Sequence, residues 1–174
     1  KPSEDEMLKP YLFENKKRIA YITGTSIFNK YGFTTQVPTT VKIATRNRVI
    51  NLNLGTIKVR SVKSYVDVTD KNYYLLELLD IIKDFKIIPD SKKQQSIALI
   101  FNKIAALTDV EKKQLISYAI NYPPRVIALL GLLLENQLDD NYLNKLKNKL
   151  NPFTTFEYGL SKEKYPQAKN WNLK

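Results

Sequence analysis

Between Val41 and Arg60, apolar side chains return at nearly every second position. Val41 and Ile43 alternate with Lys42 and Ala44, Ile50, Leu52 and Leu54 with Asn51 and Asn53, and Ile57 and Val59 with Lys58 and Arg60. A period of two marks strands with one buried face. The breaks at Arg46-Asn47-Arg48 and Leu54-Gly55-Thr56 suit hairpin turns. The pattern therefore predicts a three-stranded antiparallel meander over residues 41–63. In that register Lys42, Lys58 and Arg60 point away from the core, and Arg46 and Arg48 crown a turn.

From Thr69 onward the period changes to that of a helix. Leu75, Leu78, Leu79 and Ile82 form a core-facing stripe within residues 72–85. Ser91-x-x-Gln94 and Thr108-x-x-Glu111 read as capping boxes before apolar-periodic segments at 93–107 and 109–120. Pro123-Pro124 opens a helix through Gln137 that is apolar around most of its circumference, and so the most buried one. Residues 141–150 make a last amphipathic helix. The segment from Asn151 carries Phe153, Phe156, Tyr158 and Trp171 among Pro and Gly, as a surface-wrapping tail with aromatic anchors would. Near the start, Ser3-Glu4-Asp5-Glu6 matches a capping box for a short helix through about Phe13, interrupted or reshaped near Pro10. Gly24 and Gly32 bracket another helix around Ser26–Tyr31.

These elements predict the α+β class: a small antiparallel sheet of about three strands packed against a C-terminal bundle of about five helices. Residues 1–174 form one domain, with a basic α/β part (1–66), a helical part (67–150) and the tail (151–174). The opening Lys1-Pro2-Ser3 lacks an initiating Met, which leads to the expectation of a piece of a longer protein.

Charge sharpens this picture. The net charge of +11 is concentrated between Asn15 and Val66, where Lys16, Lys17, Arg18, Lys30, Lys42, Arg46, Arg48, Lys58, Arg60 and Lys63 meet no Asp or Glu. A basic surface of this kind suits an acidic partner, nucleic acid above all. Lys42, Arg46, Arg48, Lys58, Arg60 and Lys63 are the candidates for backbone contacts, with Lys16, Lys17 and Arg18 flanking.

The chemistry of enzymes is poorly represented. His and Cys are absent, which removes the commonest general base and the usual transition-metal ligands. No Gly-rich phosphate loop occurs. Asp109, Glu111 and Lys113 are the nearest approach to a carboxylate nuclease, but they fall at a helix start, where acids act as caps and dipole partners. Glu77, Asp80 and Asp84 read as the solvated face of a helix. The expectation is a protein without enzymatic activity, metal or other cofactor. The absence of Cys fits a reducing cytoplasm, and the longest apolar run, Val126–Leu134, is too short for a membrane span.

One segment stands apart: Gly24-Thr25-Ser26-Ile27-Phe28-Asn29-Lys30-Tyr31-Gly32-Phe33-Thr34-Thr35-Gln36-Val37-Pro38. Gly24, Ser26, Asn29, Gly32, Thr34, Thr35, Gln36 and Pro38 could form a polar loop offering donors to phosphate or a partner. They equally suit a helix-to-strand connection whose Thr and Gln side chains satisfy backbone groups, and the residue chemistry leans toward the latter.

Tyr21 through Pro38, followed by Val41-Lys42-Ile43-Ala44-Thr45, resembles the effector-domain signature of AbiEi-like antitoxins of the AbiE abortive-infection, type IV toxin–antitoxin systems. Tyr122-Pro123-Pro124-Arg125, Ala128-Leu129-Leu130-Gly131, Leu150-Asn151-Pro152 and Trp171-Asn172 look similar too. The resemblance covers most of the chain, with Phe33 standing where Leu is more usual. It implies a two-part bacterial protein, in which a preceding winged helix-turn-helix binds the operon's promoter. The part present here would antagonise a nucleotidyltransferase toxin without forming a stable complex with it. DNA would then be a partner chiefly through the joined winged helix. The other readings left by the residues are a basic domain for protein or RNA interaction and a cryptic nuclease.

Overall fold

The computed structural model describes residues 4–174, so the Ser3–Glu6 capping box lies outside the described residues. The chain forms two compact units, one running to Ile81 and the other from Ile82.

The first unit opens with helix α1 (Glu4–Leu12), which accommodates Pro10 within its last turn. A tight hairpin follows, β1 (Phe13–Glu14) and β2 (Lys17–Arg18), turned by Asn15 and Lys16 at positive φ. Ala20–Thr23 is strand β3, and Thr25–Lys30 is helix α2. Gly32 ends α2 at φ 79°, with Phe33 N–H donating to Phe28 O and Gly32 N–H to Asn29 O. This is a Schellman stop, and the left-handed backbone is why Gly stands there. Then come β4 (Thr40–Thr45), β5 (Asn51–Leu54), β6 (Ile57–Lys63) and helix α3 (Tyr73–Lys83).

The sheet corrects the predicted meander. It has four strands in the order β3-β4-β6-β5, and β4 runs parallel to β6. The β5–β6 hairpin forms as expected, turned at Gly55 with φ 67°. Arg46-Asn47-Arg48, however, is a crossover that carries β5 to the outer edge and leaves room for β6 beside β4. The physical reason lies in β4, where Ile43, Ala44 and Thr45 are buried in succession. Such a strand is central, and it takes β3 antiparallel on one edge and β6 on the other. Leu8 and Leu12 of α1 close one face of the sheet over Ala20, Val41, Ile43, Ile50 and Val59. Burying each large aliphatic there contributes roughly 1.5–3 kcal/mol.

Helix α3 begins in this unit and ends across its boundary, although the sequence reading placed it with the later helices. Its carboxylates explain the difference: Asp80 accepts hydrogen bonds from Tyr21 Oη at 2.8 Å and Thr23 Oγ1 at 2.7 Å, both on β3.

The second unit contains helices α4 (Lys93–Ala105), α5 (Asp109–Ala119), α6 (Pro124–Leu134) and α7 (Asp140–Lys147). Thr108 and Glu111 form the reciprocal capping box anticipated for α5. At α4 the cap is Lys92 without a side-chain bond, so Ser91 does not cap it. Pro124 sits in the first turn of α6, and every residue from Val126 to Leu134 is buried. The final segment is less superficial than a wrapping tail. Trp171 is fully buried against Gly131, where an added Cβ would meet the indole Cε3 at 2.1 Å. Tyr158 is also buried, whereas Phe153 is 93% exposed and anchors nothing. Among the described residues no helix is long and apolar enough to cross a membrane.

Candidate nucleic-acid interface

Strand pairing decides which basic side chains share a face. Lys42 stands opposite Arg60 on β6 and Thr23 on β3, and Arg60 stands opposite Asn51 on β5. One step along the strands, Lys58 lies between Thr40 and Asn53. Lys42, Lys58 and Arg60 therefore occupy the face opposite Val41, Ile43 and Val59, as the alternation predicts. Lys42, Lys58, Asn51 and Asn53 are exposed, and Arg60 and Thr40 are half-buried. Lys63 differs. It shares the parity of Val59 and Ser61, and so belongs to the other face at the end of β6.

The remaining cations of the acid-free stretch are largely neutralised from outside it. Arg46 pairs with Asp67 at 3.4 Å and donates to Tyr65 O at 2.8 Å. Arg48 pairs with Glu14 at 2.6 Å. Arg18 donates to Asp70 at 3.1 Å and to Ala20 O, and its guanidinium lies 3.8 Å from the Tyr73 ring centroid. Lys30 bonds both oxygens of Glu77, at 3.3 and 3.0 Å. Lys16 and Lys17 are exposed at the β1–β2 hairpin. Among the described residues, Lys42, Lys58 and Arg60 have no acidic partner within ion-pair distance.

Glu77 and Asp80 overturn the reading of α3 as carrying a solvated acidic face. Both residues are 2% exposed, because their carboxylates serve the hydroxyls and ammonium of the β3–α2 segment rather than water. Asp84, beside Lys83 at 3.8 Å, is half-buried. Burial raises the Glu77 carboxyl above its usual range, and the bonds from Lys30 and Tyr31 only partly offset that. Sequence periodicity missed these acids because nothing in their spacing reveals polar partners arriving from another element.

The Gly24–Pro38 segment comprises α2 and its connection to β4, braced by side-chain bonds from Asn29 and Thr34. Asn29 Nδ2 donates to Thr34 O and Gln36 O, and Thr34 Oγ1 accepts from the Gln36 N–H. Thr34 is buried, while Thr35 and Gln36 are exposed and Pro38 is half-buried. Gly24, at φ 74°, caps α2 and lies under the Lys42 stem, whose Cδ would sit 3.1 Å from an added Cβ. Ser26, Asn29 and Pro38 also line a cavity of about 750 Å³ with Lys9, Arg18 and Glu77.

Elsewhere, Asp109 and Glu111 occupy the first turn of α5, and Lys113 lies over the Tyr142 ring. Among the described residues no group of three or more His, Cys, Asp or Glu is placed to hold a metal ion. Compared with known proteins, the chain matches no family model, no curated protein and no solved structure.

Proposed function

We propose that this chain is the non-catalytic effector domain of a bacterial, cytoplasmic type IV antitoxin. In this reading it antagonises a nucleotidyltransferase toxin and assists promoter binding and autoregulation through its basic sheet face. The antitoxin part is supported by the resemblance of Tyr21–Pro38 and the later segments. The DNA-binding part is carried by one observation: Lys42, Lys58 and Arg60 share a polar sheet face with no acidic partner among the described residues.

Each part has its own experiment. Three phosphate contacts predict that the logarithm of duplex affinity falls with the logarithm of salt with a slope of about −3. A flat response, or no binding at low salt, removes the DNA part. Co-expression with a nucleotidyltransferase toxin of the type IV class should restore host growth, and persistent arrest removes the antitoxin part. Stable co-purification of the two proteins would favour direct protein interaction instead.

A further inference from the structure

Arg60 differs from the two lysines beside it in how it is held. Its Nη1 donates to Leu52 O and to Val59 O, both at 2.9 Å. Two of the five guanidinium N–H donors are thus spent on backbone carbonyls. They fix the plane of the group without neutralising its charge. The Nε–H and Nη2–H edge has no hydrogen-bond acceptor among the described residues. That edge is the fork that matches two oxygens of one phosphate.

The surroundings favour an anion at this position. Lys42 stands opposite Arg60 in the parallel β4–β6 register, with its stem over Gly24 on the β3 side while the Arg60 guanidinium reaches Leu52 O on the β5 side, so both add positive charge to one face. Arg60 also pairs with Asn51 across β5, and Thr40 and Asn53 flank Lys58, which supplies further uncharged donors and acceptors.

We infer that Arg60 is the anchor of a phosphate subsite, its Nε/Nη2 edge receiving one phosphate group in bidentate fashion. This deepens the nucleic-acid reading above and rests on it for the identity of the ligand as a phosphodiester. The chemistry recognised is that of the phosphate itself, so a free phosphate ion is the alternative source.

The test compares a charge-preserving variant with the parent on a duplex oligonucleotide. Arg60→Lys keeps the charge and the salt slope but should lower affinity about tenfold, since one charge-assisted hydrogen bond is lost. If Arg60→Lys binds as tightly as the parent, the anchor is overturned. Because Arg60→Lys also forfeits bonds to Leu52 O and Val59 O, a second measurement uses the parent protein alone. Inorganic phosphate is titrated while the Arg60 Nε–H resonance is followed by nitrogen-15 NMR. Arg60 should shift, and Arg46, whose Nε faces Asp67, should shift far less. An unresponsive Arg60 overturns the proposal. A responsive Arg60 in a protein that binds no duplex upholds the subsite for free phosphate and rejects the nucleic-acid reading.

Discussion

The two faces of the β3-β4-β6-β5 sheet are written by alternate residues of the same strands, yet they are completed differently. Over Val41, Ile43 and Val59, α1 brings Leu8 and Leu12 and closes a dry core. Among the described residues, the face carrying Lys42, Lys58 and Arg60 receives acids only at its β3 end, where Asp80 of α3 meets Tyr21 and Thr23. Alternation thus determines which residues stand together. Whether a charged face stays free for a partner depends on which acids the rest of the fold delivers to it.

The largest effect that tests this contrast belongs on the dry face. Ile43→Ala should cost about 2–4 kcal/mol in chemical denaturation, because the site is fully buried and a cavity remains. At the closed end of the polar face, Asp80→Leu should cost about 1–3 kcal/mol by removing the carboxylate that Tyr21 and Thr23 share. Equal tolerance at Asp80 and Lys42 would erase the distinction between the closed and open ends.

Glu77 gives a pH signature with a defined sign. Its folded carboxyl titrates above the ordinary value of 4.5, so the folded state binds more protons across that interval. Stability should therefore fall as pH rises from 4.5 through the raised folded value, then level off. Glu77→Gln should flatten that segment of the stability profile, and an unchanged slope would locate the effect in another group.

The smallest structural effect belongs to the open face. Lys58→Ala should change stability by no more than about 0.5 kcal/mol. The same substitution should reduce the duplex salt slope by about 0.9. A stability loss comparable to that of Ile43→Ala would show that the face is not open.

Much of this arrangement was legible in the sequence. The parity of Lys42, Lys58 and Arg60, the Gly55 hairpin, the cap at Thr108 and the buried α6 all follow from local pattern. Strand order did not, because alternation says nothing about which edges meet, and β6 entered beside β4. Counting charge along the chain also misled at particular residues. The acid-free stretch is bounded by Glu14 and Asp67, and these two reach back to Arg48 and Arg46. A window drawn one residue wider at either side would have contained the partners, although only the fold shows the pairing.

Gly131 and Trp171 add a temporal consequence. The face of α6 at Gly131 is completed by an indole encoded forty residues later. A ribosome adding roughly 5–20 residues per second leaves that face without its cover for roughly 2–8 s. Apolar surface exposed for such an interval is the kind that drives aggregation and recruits chaperones. Replacing Gly131 by Ala would drive a Cβ into the Trp171 ring, so the indole or α6 must shift before that cover can form.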